Sequence, residues 1–321
     1  MTLPEPMRPT RRHVLDLDDF TRHEIETLLD TAVGMKEILS REIAQVPTLR
    51  GVSVVNMFYE DSTRTRISFE LAAKALSANV VNFAARGSSV EKGESLLDTM
   101  RTLQALGADI LVLRHSYAGT AHLLAQHFRG AIINAGDGRH AHPTQALLDL
   151  FTLRDKLGTL ERRHIVIVGD ILHSRVARSN LWGLTTMGAH VTLCAPPTLL
   201  GNEQFWLDTW HDLRIVYSLD AALQDADAVI VLRLQRERQE AGLLPSLREY
   251  AQFFALSQAR LQAARAGMLV LHPGPMNEGV EIAPDVATSA QSVIEEQVTN
   301  GVAVRMALLY HLALNLRQKG A

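Results

Sequence analysis

Nine short runs of β-branched and apolar residues, separated by longer stretches with helical spacing, constrain this chain more than any other feature. The runs are Val52–Phe58, Val80–Phe83, Asp109–Leu113, Ala131–Asn134, His164–Val168, His190–Cys194, Arg214–Tyr217, Ala228–Leu232 and Met268–Leu271. Each has strand length, and the patterns between them, such as Gly93–Leu106 and His142–Leu157, suit the crossovers that parallel strands require. The alternation predicts an α/β fold of parallel sheets covered by helices on both faces. With 321 residues, 47% of them hydrophobic, the chain can fill two cores. Two doubly wound domains of four or five strands each, linked by long helices, are therefore expected rather than one large sheet.

The helical pattern from about Pro143 ends at Lys156-Leu157-Gly158-Thr159, where Gly158 suits the position just past a helix end. A fresh strand begins at His164. The expected division is a first domain over 1–150 and a second over 151–289. A last helical segment, about 290–321, is expected to pack back on the first domain.

Composition removes several function classes. A net charge of −3 gives no bulk reason to expect a nucleic acid or an acidic membrane as partner. No apolar run approaches the roughly 20 residues needed to span a bilayer, and the first residues have no apolar signal-peptide core. Cys194 is the single cysteine, which excludes an internal disulfide and a multi-cysteine zinc site. These features together predict a soluble cytoplasmic protein.

The chemistry-bearing residues fall where predicted strands end. Ser62-Thr63-Arg64-Thr65-Arg66 stands between the first strand and the helical pattern from Ile67, with Ser62 as the expected N-cap. A helix start presents unpaired N–H groups and the positive end of a dipole, so hydroxyls and guanidinium groups there suit a phosphate or carboxylate. The competing reading is a capped helix with solvated arginines, Arg66 pairing with Glu70. Ser88-Ser89-Val90-Glu91-Lys92-Gly93-Glu94 is a polar loop in which Lys92 offers a point charge for phosphate, or is merely another helix start. Arg114 ends the third strand, at the edge where open α/β sheets bind ligands, or is a solvated strand-end arginine.

His142-Pro143-Thr144-Gln145 opens a helix, with Pro143 in its first turn. An imidazole at a helix start tends to stay neutral and can donate to a carbonyl oxygen; a structural cap is the alternative. His140 and His142 have no nearby third ligand to suggest a metal. Gly169-Asp170-Ile171-Leu172-His173-Ser174-Arg175 begins like a dinucleotide-binding turn but lacks the later glycines of that fingerprint. Its arginine favours a small anion. Arg233-Leu234-Gln235-Arg236-Glu237-Arg238 ends another strand, and His272-Pro273-Gly274-Pro275-Met276-Asn277 is a rigid loop whose backbone can face a ligand.

Taken together, these motifs resemble the aspartate carbamoyltransferase catalytic chains of the aspartate/ornithine carbamoyltransferase superfamily, over about residues 14–316. The resemblance implies transfer of the carbamoyl group of carbamoyl phosphate to the amine of L-aspartate, giving N-carbamoyl-L-aspartate and phosphate, an early step of pyrimidine synthesis. It implies no cofactor and no metal. By position, Ser62, Thr63, Arg64 and Thr65 match the phosphate cradle. Arg114 matches the arginine shared by phosphate and carbonyl oxygen, His142 the histidine on that oxygen, and Gln145 the glutamine near the carbamoyl amide. Arg175, Arg233 and Gln235 match the side chains that hold aspartate, and Gly274 and Pro275 the loop whose backbone meets it.

Ser89 and Lys92 match residues supplied by a neighbouring subunit, which implies a homotrimer with shared active sites. Glu60 matches a carboxylate that meets arginines equivalent to Arg175 and Arg238 when the domains close. Family members also associate with regulatory chains or with dihydroorotase. Two departures stand out: the Val90-Glu91-Lys92 loop is one residue shorter than in some members, and Gly274 replaces a leucine. Ornithine carbamoyltransferase is the rival within the superfamily, but its His-Cys-Leu-Pro signature is absent, and Arg175, Arg233 and Gln235 suit a dicarboxylate. Two further alternatives are a non-catalytic scaffold subunit, opposed by Arg64, Arg114, His142 and Arg233, and a nicotinamide-dependent oxidoreductase, opposed by the missing glycines.

Overall fold

A computed structural model describes residues 11–84, 93–235 and 242–319. It contains two compact units: residues up to Phe151 with those from Val298 onward, and Thr152–Gln297. All nine expected strands form; eight lie within two residues of their predicted ends, and the fourth runs three residues further, to Asp137. Every strand pairing within both sheets is parallel.

The first unit holds a four-stranded sheet in the order β2-β1-β3-β4. Its strands are β1 (Ser53–Phe58), β2 (Asn79–Ala84), β3 (Ile110–His115) and β4 (Ala131–Asp137). The helices are α1 (Arg22–Leu39), α2 (Thr63–Ala75), α3 (Leu96–Ala105), α4 (Thr120–Ala125) and the start of α5 (Pro143–Leu157). Strands β1, β3 and β4 are buried almost throughout, as expected for strands covered on both faces. Val55, Met57, Leu111, Leu113 and Ile132 pack with Met100 of α3 and Leu124 of α4. The C-terminal helix Ile294–Lys319 contributes a long buried run to this unit, Ala303 to Ala313, interrupted by the buried polar residues Arg305 and His311.

The second unit holds a five-stranded sheet in the order β7-β6-β5-β8-β9. Its strands are β5 (His164–Val168), β6 (His190–Cys194), β7 (Leu213–Val216), β8 (Ala228–Val231) and β9 (Leu269–Leu271), and α6 (Arg175–Thr186) follows β5. Gly158 ends α5 as expected, with φ +75° and its N–H on the Arg154 carbonyl. Gly169 has a structural reason of its own: a Cβ there would meet the Leu232 carbonyl at 3.1 Å, at φ +126°. That glycine serves the close approach of two strand ends.

Among the described residues, no helix is long and apolar enough to cross a membrane.

Candidate functional site

Each sheet reverses its strand order once, and ligands of open α/β sheets bind outside the carboxyl ends of the strands at that reversal. In the first unit the chain passes from β1 out to β2, then returns to β3 and β4, so the reversal lies between β1 and β3. The register sets Phe58, the last residue of β1, opposite Arg114 of β3. The Ser62–Arg66 turn therefore follows one strand of the switch point and Arg114 ends the other. In the second unit the chain runs β5, β6, β7 outward and returns to β8 and β9. Its reversal separates β5 from β8, and these strands lead into Arg175 and Arg233 respectively.

Ser62 is the N-cap residue of α2, as its sequence position predicts, but its side chain makes no capping hydrogen bond. With extended backbone at φ −158°, it leaves the helix start without the side-chain bond that most other caps of this chain supply. Thr63, Arg64 and Arg66 are exposed, and Thr65 is buried. The suggested Arg66–Glu70 pair does not form. Glu70 instead takes Lys74 at 2.6 Å and Asn82 at 2.8 Å, and these contacts hold its carboxyl below the ordinary range. Arg66 is thus an exposed cation rather than a structural pair.

Arg114 is largely buried and donates to the Ala135 carbonyl at 3.2 Å and to Glu60 Oε1 at 2.6 Å. Glu60 therefore meets a cation of its own unit. The cause is local, because Tyr59 N–H bonds the Arg114 carbonyl at 2.9 Å and brings the two strand ends together.

His142 precedes α5 and is buried; its carbonyl accepts from Gln145 N–H at 3.0 Å and Ala146 N–H at 3.3 Å. Gln145 donates its side-chain N–H to Asp149, one turn on, at 3.0 Å. The turn before His142 is clamped by Asp137, which sequence reasoning missed. This carboxylate is 1% exposed and accepts from Gly119 N–H at 2.7 Å, Asn134 Nδ2 at 2.8 Å and Ala141 N–H at 3.1 Å. His140 Nδ1 lies 3.1 Å from its other oxygen. Burial pushes the Asp137 carboxyl up, but the bonds from His140 and Asn134 outweigh it and hold it below the usual carboxylate range. The same bond raises His140. His140 is thereby committed to Asp137, not to a shared site with His142.

Arg305 was also missed. It is fully enclosed, donates to Ser68 Oγ at 2.8 Å and lies over the Phe69 ring at 5.1 Å, behind α2. Burial lowers its guanidinium to about 10, against the pull of Asp149. A lone arginine in the otherwise apolar stretch 302–310 is the sequence signal that marks it.

In the second unit Ser174 caps α6 through its side chain on Ala177 N–H at 3.1 Å, and Arg175 begins the helix and is buried. Just before it, His173 Nδ1 lies 2.7 Å from Asp170 Oδ1, both buried. Arg233 and Gln235 follow β8 and are half-buried. Gly274 and Pro275 follow β9, with Gly274 at φ +65° and its N–H on His272 Nδ1 at 2.8 Å. Asn277 Nδ2 approaches the Leu234 carbonyl at 3.4 Å, which links the loop after β9 to the segment after β8. Ser89, Lys92 and Arg238 lie outside the described residues. No group of three or more His, Cys, Asp or Glu among the described residues is arranged to hold a metal ion.

The chain matches two family models in succession. Residues 12–155 match the aspartate/ornithine carbamoyltransferase carbamoyl-P binding domain, and residues 161–312 the Asp/Orn binding domain. It is 72% identical to the aspartate carbamoyltransferase catalytic subunit of Roseiflexus sp. (strain RS-1), covering 95% of this chain and 96% of that protein. Among solved structures it is similar to aspartate transcarbamoylase from Trypanosoma cruzi in complex with carbamoyl phosphate and aspartate. The TM-score is 0.87 at 30% identity, over 97% of this chain and 99% of that one. It is also similar to the catalytic subunit of M. Jannaschii aspartate transcarbamoylase, with TM-score 0.84 at 33% identity over 97% of this chain and 100% of that one. Anion-suited side chains at both switch points, two family models end to end, and relatives aligned over nearly their whole length agree: the chain belongs to the aspartate/ornithine carbamoyltransferase family.

Proposed function

We propose that this chain is an aspartate carbamoyltransferase, joining the carbamoyl group of carbamoyl phosphate to the α-amine of L-aspartate. The observation that carries the reading is the coincidence of the two switch points with Ser62–Arg66 and Arg114 in one unit and with Arg175 and Arg233 in the other. Residues 1–150, with about 290–321, carry carbamoyl phosphate, and 151–289 carry aspartate. High identity to relatives named for aspartate, a His272-Pro273-Gly274-Pro275 loop without a cysteine, and Arg175, Arg233 and Gln235 as partners for a dicarboxylate favour aspartate over ornithine.

The chemistry needs no covalent enzyme intermediate. The amine attacks the carbonyl carbon, the carbonyl oxygen gains charge, and the C–O bond to phosphate breaks. Ser62, Thr63, Arg64 and Thr65 hold the phosphate, Arg114 and His142 stabilise the carbonyl oxygen, and Gln145 orients the carbamoyl amide. Arg175, Arg233 and Gln235 hold the aspartate carboxylates, with Gly274 and Pro275 contributing backbone. The departing phosphate accepts the amine proton. Two polyanionic substrates repel each other, and this set of arginines offsets that repulsion in a chain of net charge −3. Glu60 occupies Arg114 at 2.6 Å here and exchanges that partner for Arg175 and Arg238 as substrates arrive.

The active form is a homotrimer in the cytoplasm, each centre completed by Ser89 and Lys92 of a neighbour. Ile67 and Leu71, one turn apart on α2, and Val81 on the edge strand β2 expose apolar surface beside the Ser62–Arg66 turn. We propose that a second copy of the chain covers that face in this assembly. Association with dihydroorotase or regulatory chains is compatible with it. The test mixes an Arg64→Ala chain with a Lys92→Ala chain. Aspartate-dependent phosphate release returning in hybrids is the expected result; two inactive variants that stay inactive when mixed contradict shared centres.

A further inference from the structure

The unit of residues 152–297 contains a buried polar cluster that the reaction does not use. His272 and Glu281 are 2% and 0% exposed. His272 Nδ1 accepts from the Gly274 backbone N–H at 2.8 Å. A backbone N–H only donates, so Nδ1 carries no proton and the ring proton sits on Nε2. Nε2 lies 3.2 Å from Glu281 Oε1 and donates to it. The same carboxylate accepts Asn277 N–H at 2.6 Å and Asn277 Nδ2 at 3.2 Å. Asn277 Nδ2 then reaches the Leu234 carbonyl at 3.4 Å, between Arg233 and Gln235. The cluster is itself anchored: His272 N–H donates to Gln297 Oε1 at 2.9 Å, and the Glu281 carbonyl accepts from Leu256 N–H at 3.0 Å.

We infer that Glu281, His272 and Asn277 form a positioning hub that sets the Gly274–Pro275 loop relative to Arg233 and Gln235. One buried carboxylate reaches Gly274 through the imidazole on one arm and Leu234 through the amide on the other. The consequence for catalysis rests on the assignment of those four residues to aspartate; the hub itself rests on the hydrogen bonds alone. None of the three hub residues touches the reacting atoms. They act through the loops they hold, and a network centred on the buried pair His272 and Glu281 has little freedom to rearrange.

Two substitutions in the full-length protein separate this role from simple core filling. His272→Asn puts an oxygen near the Nδ1 position and keeps the acceptor for Gly274 N–H. His272→Gln puts an amide near the Nε2 position, keeps the donor to Glu281 and removes that acceptor. Loss of one such bond to a substrate-facing loop raises the aspartate KM about tenfold in His272→Gln, with less than about a threefold rise in His272→Asn. The KM for carbamoyl phosphate stays the same in both. Hydrogen exchange follows suit: the Gly274 amide stays protected in wild type and His272→Asn and exchanges fast in His272→Gln.

Asn277→Ser, at a half-buried position, severs the Leu234 arm without touching His272. It is expected to raise the aspartate KM with Gly274 protection unchanged, and it supplies the test if a His272 variant fails to fold. Equal KM effects of Asn and Gln at position 272, an equal shift in the carbamoyl phosphate KM, or unchanged Gly274 exchange in His272→Gln overturns the hub. Absence of wild-type turnover with aspartate would instead overturn the functional reading, while the exchange pattern still decides the hub.

Discussion

Asp137→Asn removes one oxygen and one charge from the clamp that holds the turn before His142, and its cost follows from the donor set. One carboxylate oxygen receives Ala141 N–H and Asn134 Nδ2; the other receives Gly119 N–H and lies 3.1 Å from His140 Nδ1. An asparagine must place its NH2 group at one of these positions, and either choice sets it against a backbone N–H. A buried backbone donor left unpaired costs about 1–3 kcal/mol. The ion pair with His140 is partly solvated, at 40% exposure of the imidazole, so solvent screening limits its loss to about 0.5–1 kcal/mol. The variant should therefore lose about 1.5–4 kcal/mol of stability, from a total typically about 5–15 kcal/mol.

The pH dependence has a definite sign. The Asp137 carboxyl is depressed, so its contribution is present above the ordinary carboxylate value and lost as pH falls through its lowered pKa. His140 is raised, so its contribution is complete below the ordinary imidazole value, about 6.5, and lost as pH rises through its raised pKa. Wild type and Asp137→Asn should differ most between those limits. Urea titrations should be followed by far-UV circular dichroism, because the chain's three tryptophans, Trp182, Trp206 and Trp210, all lie in the other unit. A loss below about 1 kcal/mol would refute the clamp, since a single unpaired buried N–H already exceeds it. So would a difference that does not change with pH.

Three further outcomes follow from the site. His142→Ala should lower kcat by about 10²–10³-fold, the cost of one oxyanion donor, with carbamoyl phosphate binding largely kept; an unchanged kcat removes His142 from the chemistry. Arg233→Ala should raise the aspartate KM far more than that of carbamoyl phosphate, and equal effects in steady-state kinetics contradict the division of substrates between the units. Arg305→Met should destabilise by about 1–3 kcal/mol, because it removes the buried bond to Ser68 Oγ and the charge that attracts Asp149; in the Asp149→Leu background the same change should cost less, and equal costs in both backgrounds in urea titration exclude the coupling.

The strands were legible because buried parallel strands read as continuous β-branched runs, and the turn glycines and prolines bound them. The Ser62–Arg66 turn was legible because its hydroxyls and guanidinium groups are adjacent in sequence and follow a strand directly. Arg114, Arg175 and Arg233 were legible as strand-end or helix-start arginines. What the sequence hides is pairing across distance. Glu60 meets Arg114 54 residues away, and Arg305 meets Ser68 at a separation of 237. No local pattern encodes either contact. The strand order that puts Ser62 and Arg114 at one switch point is likewise a product of strand pairing. Asp137 and Glu281 were overlooked because an acidic residue in a loop ordinarily reads as solvated, whereas these two are buried among backbone donors.

The most direct test of the functional account offers the purified protein carbamoyl phosphate labelled in its carbamoyl carbon, with equal concentrations of L-aspartate and L-ornithine. The account predicts label in N-carbamoyl-L-aspartate, one phosphate released for each molecule formed, and none in the ornithine product. Label in carbamoyl-ornithine, or phosphate release that ignores both amino acids, would contradict it.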